Sequence, residues 1–166
     1  NASDQFADLI QQLALELNAP IFEPHITLLG NLKGSEAEHH VARSTELARR
    51  LAPFPIALSG PAFGEDYFHC VFLVADMTAP LLHAHTLARQ IFHQEESGRY
   101  RPHISLVYGR YSENEKRDII ARLPDKLCLS FEVSQLSLIR AGSDDPKEWQ
   151  HVCVRTMGDG PGKAMD

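Results

Sequence analysis

Residues 100–109 read "YRPHISLVYG", and residues 22–30 read "FEPHITLLG". Pro102-His103-Ile104-Ser105-Leu106 repeats Pro24-His25-Ile26-Thr27-Leu28, and an aromatic residue, Phe22 or Tyr100, stands two places before each proline. In an extended chain alternate side chains share a face. His25 and Thr27 then point one way, with Ile26 and Leu28 behind them. His103 and Ser105 share a face in the same manner, backed by Ile104 and Leu106. A proline before each histidine removes a ladder donor, which puts each motif near a strand end. Packing accounts for a repeated Ile and Leu. It gives no reason for a histidine and a hydroxyl to recur on the opposite face.

The surroundings repeat with the motif. Phe6, Leu9, Ile10, Leu13 and Leu17 fall on one stripe and predict a helix over 4–18, capped by Ser3 or Asp4. A strand over 25–30 follows, then a helix over 35–51 opened by a Ser35–Glu38 capping box, then strands over 54–60 and 67–75. The second half gives a helix over 79–96 behind Thr78 and Pro80, a strand over 103–108 and a helix over 112–122 behind Ser112 and Glu115. Strands over 127–139 and 149–156 complete it. Each half runs helix, strand, helix, strand, strand, the order an internal duplication leaves. The expectation is an α+β fold of two lobes related by a pseudo-two-fold axis, where equivalent residues meet. It is a single domain over 1–156, with intertwined repeat units at 4–75 and 79–156 and a loose Gly- and Pro-containing tail over 157–166.

Two imidazoles and two hydroxyls across a cleft suit acid–base chemistry near neutral pH. One histidine can take a proton from water while the other gives one to a leaving oxygen. The hydroxyls can donate to phosphoryl oxygens as charge shifts in the transition state. The near-identical motifs do not say which histidine is the base.

Composition narrows the class. With 166 residues the chain suffices for one domain or two small lobes, and 43% hydrophobic with 23% charged residues is ordinary for a soluble protein. Sixteen Lys and Arg against 22 Asp and Glu leave a net charge of −6, poorly suited to gripping long nucleic acid. A small phosphorylated ligand needs only a local positive pocket. No apolar run of about 18 residues and no signal-peptide pattern is visible, so a cytoplasmic monomer without a membrane partner is expected. Cys70, Cys128 and Cys153 contain no C-x-x-C and read as free thiols. His83 and His85 are two apart on a helix, which points their rings away from each other, so no metal site is expected there. His39 and His40 fall on a polar helix face and read as solvated; His69 and His151 fall in strands and read as either satisfied in the core or near the cleft.

The paired His-x-Thr/Ser motifs on a duplicated α+β chain resemble the two-histidine (2H) phosphoesterase superfamily. "YRPHISLVYG", "YFHCVFLV" and "EWQHVCV" most resemble its cyclic phosphodiesterases, which open ADP-ribose 1″,2″-cyclic phosphate and nucleoside 2′,3′-cyclic phosphates. The resemblance covers residues 4 to 156. It implies an antiparallel sheet with flanking helices in each lobe, a central water-filled cleft, and hydrolysis without metal or cofactor to a phosphomonoester. It further implies that His103 activates water, that His25 protonates the departing oxygen, and that Thr27 and Ser105 hold the phosphate. Tyr108 matches a pocket-lining position, although strict alternation turns it away from His103. Phe63, Tyr67, Phe68 and Trp149 are candidates for stacking on a base, and Arg101, on the His103 face, for a second phosphate. Within the superfamily the alternative substrate is an RNA end or a 2′–5′ linkage; outside catalysis, the alternative is a nucleotide-binding module. Family members open with a strand before the first helix. Residues 1–3 are too short for one, so that strand is either absent from this chain or replaced by 149–156.

Overall fold

The computed structural model describes residues 1–34, 36–95, 98–127 and 129–158. Helix α1 (Ala2–Leu17) starts on Asn1, whose side chain accepts from the Asp4 amide while the Asp4 carboxylate returns to the Asn1 amine. This corrects the expected cap: Asp4 is the return arm of a capping box, because Asn1 carries its own side-chain oxygen three residues earlier. Phe6, Leu9, Ile10 and Leu13 are buried, as their spacing predicts. Helix α2 (Ala37–Arg50) starts on Glu36 without a side-chain cap, and the Ser35 box lies outside the described residues. Next come β1 (Phe54–Phe63), β2 (Val71–Ala75), α3 (Ala79–Ile91), β3 (His103–Val107) and α4 (Glu113–Ala121). β4 (Ser130–Val133), β5 (Gln135–Arg140) and β6 (Gln150–Thr156) end the order. Thr78 and Ser112 cap α3 and α4 as expected, and α3 stops at Ile91 rather than at residue 96, with His93 left-handed at φ 52°.

The strand pairings are antiparallel and the fold is α+β. Four strands form a sheet in the order β3-β2-β1-β4, and β5 pairs with β6 in a second sheet. β1 serves two partners: Phe54–Ala57 pair with β4, and Leu58–Phe63 with β2 past a bulge at Gly60, whose φ of 128° favours glycine. Helix α1 lies against β3, α3 against β1, α4 against β1 and β2, and α2 covers the β5–β6 pair. Two first-half helices thus pack on second-half strands. Ile104 and Leu106 of β3, Val71 and Leu73 of β2, and Phe6 and Ile10 of α1 belong to one buried core. Full burial stabilises by about 1.5–3 kcal/mol per large apolar side chain, which makes β3 a firm platform.

Three expected strands change. Residues 127–139 divide at Ser134 into β4 and β5, which join different sheets. Residues 67–70 form a turn, so β2 starts at Val71 and Tyr67, Phe68 and His69 belong to a loop. Residues 25–30 make only an isolated bridge, Ile26 to Ile104. Pro24 has no amide proton to give, Leu28 and Leu29 bend, and Asn31 is left-handed at φ 53°, so the extended run is too short for a ladder. The sheets are therefore unequal, and β6 pairs with β5 rather than beside the first motif. Cys70 is a buried free thiol and Cys153 a half-buried one; Cys128 and the tail from residue 159 lie outside the described residues.

Candidate active site

The first motif meets the second at the open edge of β3. The Ile26–Ile104 bridge is antiparallel. Carried one residue either way, that register sets His25 across from Ser105 and Thr27 across from His103. The two isoleucines share one face and the four polar side chains share the other.

Both imidazoles are oriented by the same device. His25 Nδ1–H donates to the Glu23 carbonyl at 2.7 Å, and His103 Nδ1–H donates to the Arg101 carbonyl at 2.8 Å. A carbonyl can only accept, so each Nδ1 carries the proton and each Nε2 is left for chemistry. The surroundings differ. His25 is exposed, with Trp149 and Phe22 edge-on at 6.2 and 6.4 Å. His103 is half-buried, with its ring 4.1 Å from His69 and 5.1 Å from Phe72. Burial holds the His103 pKa below the ordinary imidazole value; the Arg101 carbonyl opposes this, and His69 and His25 add to it. A neutral ring with a bare Nε2 is what a general base requires.

The hydroxyls also differ. Thr27 is exposed, and its carbonyl accepts from the Tyr100 hydroxyl at 3.1 Å. Ser105 is only 5% exposed and donates to the Phe68 carbonyl at 3.2 Å. Tyr108 lies beyond the end of β3 and so escapes strict alternation; its phenol reaches Ser105, and burial pushes its pKa up to about 12. Its ring stacks on Phe22 at 3.8 Å and meets Phe68 edge-on at 5.0 Å. Trp149, fixed by its indole N–H on the Ser143 carbonyl at 2.8 Å, lies 6.1 Å from Phe68 and 6.2 Å from Tyr108. These rings line a path from Ser105 to His25.

The loop over 64–70 delivers Phe68 and His69. The Gly64 amide donates to the Cys70 carbonyl at 3.2 Å, and the buried Lys116 of α4 donates to the Gly64 carbonyl at 2.7 Å. A Cβ on Gly64 would lie 2.6 Å from the His69 carbonyl, so only glycine lets the loop close this tightly.

Of the sequence candidates, His25, Thr27, His103, Ser105, Tyr108, Phe68 and Trp149 gather here. Arg101 is exposed, and what it gives the site is its carbonyl. Phe63 is drawn elsewhere, under the Arg117 guanidinium at 5.2 Å, while Tyr67 sits edge-on behind Phe68 at 5.0 Å. His151 pairs with the Glu23 carboxylate at 3.1 Å near the surface. His40 is not merely solvated: it is half-buried, its Nε2–H donates to the Gly34 carbonyl at 3.1 Å, and its ring stacks beside Phe92. Sequence reasoning left His69 open between core and cleft, where it stands against His103, and missed His85 and the structural use of Phe22 and Tyr100. The aromatic before each proline was the signal for the last two. Among the described residues no three His, Cys, Asp or Glu side chains converge as metal ligands, and no helix is long and apolar enough to cross a membrane.

Comparison with known proteins bears on the family and the fold. The model of the 2′-5′ RNA ligase superfamily matches residues 3–145. A cyclic phosphodiesterase of Arabidopsis thaliana is 27% identical over 158 residues, covering 90% of this chain and 86% of that protein. The fold is similar to that of E. coli LigT crystallised with 3′-AMP, at a TM-score of 0.63 and 15% identity over 95% of this chain and 93% of that one. A crystallised phosphoesterase is similar at a TM-score of 0.58 and 15% identity, over 91% and 92% of the two chains.

Proposed function

The chain belongs to the 2′-5′ RNA ligase (2H phosphoesterase) superfamily, and on that premise we propose that it hydrolyses a small cyclic phosphodiester to a phosphomonoester. The substrate class is a nucleoside 2′,3′-cyclic phosphate or ADP-ribose 1″,2″-cyclic phosphate. The observation that carries this reading is the Ile26–Ile104 bridge, which sets two histidines and two hydroxyls on one face. We read the fold as two intertwined lobes about an approximate two-fold axis near that bridge, with the substrate on its polar side. The named cyclic phosphodiesterase among the relatives supports the substrate class.

In the proposed reaction His103 Nε2 takes a proton from water, whose oxygen forms a bond to phosphorus. The bond from phosphorus to one ring oxygen breaks, and His25 Nε2–H protonates that oxygen. Thr27 and Ser105 donate to the non-bridging oxygens, where negative charge gathers. Both proton transfers are supplied by imidazoles, so the scheme calls for no metal. Phe68 and Trp149 offer apolar surface to a base or ribose, while Tyr108, only 3% exposed, packs against both.

The test is ring opening of a nucleoside 2′,3′-cyclic phosphate in the presence of EDTA. Turnover by the wild type, lost in His25→Ala and in His103→Ala, is expected; full activity in the double variant would sink the reading. The family's description favours one second reading, an RNA end or 2′–5′ linkage as substrate. Higher kcat/KM on oligonucleotides than on mononucleotides would select it.

A further inference from the structure

We propose that His69 and His103 act as one base, sharing a single proton across the contact between their rings. This deepens the reading of His103 as the base and rests on it. His69 Nε2 lies 3.2 Å from His103 Nδ1. That same Nδ1 is 2.8 Å from the Arg101 carbonyl, so it bears a hydrogen. Two N–H groups cannot face each other at this distance. His69 Nε2 must therefore present a lone pair, and its own proton sits on Nδ1. The His103 hydrogen is then shared between an oxygen and a nitrogen.

That nitrogen changes what happens when His103 Nε2 takes a proton from water. The Nδ1 proton can cross to His69 Nε2, at the cost of leaving the Arg101 carbonyl without its donor, and His103 is then neutral with its proton on Nε2 and the charge on His69. The proton count is unchanged, and one positive charge is spread over two rings. Either arrangement occupies His103 Nε2, so one proton anywhere on the pair switches the base off. A second proton is opposed by the first, because the two charges would lie in contact. Among the described residues His25 has no such companion: its ring neighbours are Phe22 and Trp149, which take no proton.

The groups around the pair leave this exchange to the two rings. The charges that act on His103 are His69 and His25. β2 presents Phe72, which lies 5.3 Å from His69 and does not titrate. On the loop itself, Asp66 receives the His69 amide through its backbone carbonyl, and Cys70 is buried with its thiol pushed up. From α4, Lys116 spends its ammonium on the Gly64 carbonyl.

Nitrogen-detected NMR titration of the imidazoles in the full chain tests this without requiring turnover. In the wild type, His69 and His103 should move together through one shared step, with a second step well over about one pH unit lower. In His69→Gln the amide oxygen can still accept the His103 Nδ1–H but cannot take its proton. His103 should then titrate alone, below the shared step. In His69→Phe neither is possible, and the His103 Nδ1–H loses its second acceptor. Independent titration of the two rings in the wild type, or a His103 curve unmoved in His69→Gln, overturns the proposal. On a cyclic phosphate, His69→Gln should keep KM, lose kcat about tenfold, and shift the acid limb of the rate profile downward with the NMR curve. An unshifted limb overturns it; a wild type that turns over no cyclic phosphate fails the substrate reading while the titration still decides the shared proton.

Discussion

The two half-sites carry nearly the same five residues and are held by different means. His103 and Ser105 belong to β3, which is laddered to β2 and backed by α1. His25 and Thr27 lie on a segment with one bridge. Two side chains from the second half replace the missing neighbour strand. His85 Nδ1–H donates to the Leu28 carbonyl at 2.8 Å, and the Tyr100 hydroxyl donates to the Thr27 carbonyl at 3.1 Å. Their rings stack at 3.8 Å and 1°. The difference matches the two proposed roles. A base must be neutral, and partial burial in a sheet favours the neutral form. An acid must hold its proton, and an exposed segment leaves it solvated.

The largest effects should come from the histidines, and pH should tell them apart. His103→Ala and His25→Ala should each lower kcat about 10²- to 10⁴-fold. The residual rate of His103→Ala should lack the acid limb, and that of His25→Ala the alkaline limb. Loss of the same limb in both would overturn the division into base and acid. The hydroxyls come next. Ser105 must give up its bond to Phe68 before it can serve a phosphate, whereas Thr27 is exposed. Thr27→Ala should lower kcat/KM by about ten- to a hundredfold, the worth of a bond to a charged group, and leave the melting curve in place. Ser105→Ala should cost less activity and about 1 kcal/mol of stability, because the Phe68 carbonyl loses its donor. Equal kinetic costs with equal melts would show the half-sites to be interchangeable.

Local sequence pattern carried the second half-site further than the first. β3 was legible because Pro102 starts it and alternation sorts Ile104 and Leu106 from His103 and Ser105. The same pattern at 25–28 holds its faces but not its ladder, since what ends the run is the bend at Leu28 and Leu29 and the turn at Asn31. Residues 67–70 alternate like a strand, yet Lys116 and the close approach at Gly64 fold them into a loop. The Lys116 contact comes from far along the chain, and periodicity cannot see it. For the same reason His69 read as a strand residue, and His85 was weighed only as a metal ligand beside His83. Each takes its meaning from a partner, His103 or Leu28, distant in sequence. The split at Ser134 was hidden because β4 and β5 continue one alternation while joining different sheets.

The stacked pair that replaces a strand gives a smaller prediction. Tyr100→Phe removes one hydroxyl bond, worth about 1 kcal/mol, and should lower kcat/KM about fivefold. Tyr100 holds the Thr27 backbone, so its loss should cost less in the Thr27→Ala background than in the Ser105→Ala background, where the two effects should simply combine. His85→Ala should behave like Tyr100→Phe. If a double-mutant cycle instead couples Tyr100 to Ser105, the first half-site is not held by this pair.

The smallest effect is one of stability, and it again separates the half-sites. Burial depresses the His103 pKa in the folded chain, and a charge on His69 or His25 depresses it further. The unfolded chain therefore binds more protons than the folded one as pH falls below the ordinary imidazole value near 6.5. Stability rises with pH where the unfolded state binds more protons, so the contribution of the neutral pair is complete above that value. It is lost as pH falls toward the depressed folded value, by at most about 1.4 kcal/mol per pH unit for one proton. His103→Gln keeps a polar side chain in place but leaves a single imidazole, His69, to titrate there. Its denaturant midpoint should fall less than that of the wild type between neutral and mildly acid pH. His69→Gln should flatten the curve in the same way, because two rings in contact hold one proton where two separated rings hold two. His103→Gln and wild type with parallel acid profiles would mean that the half-buried ring takes up its proton as freely as an exposed one, and the contrast between a sheltered base and a solvated acid would then fall.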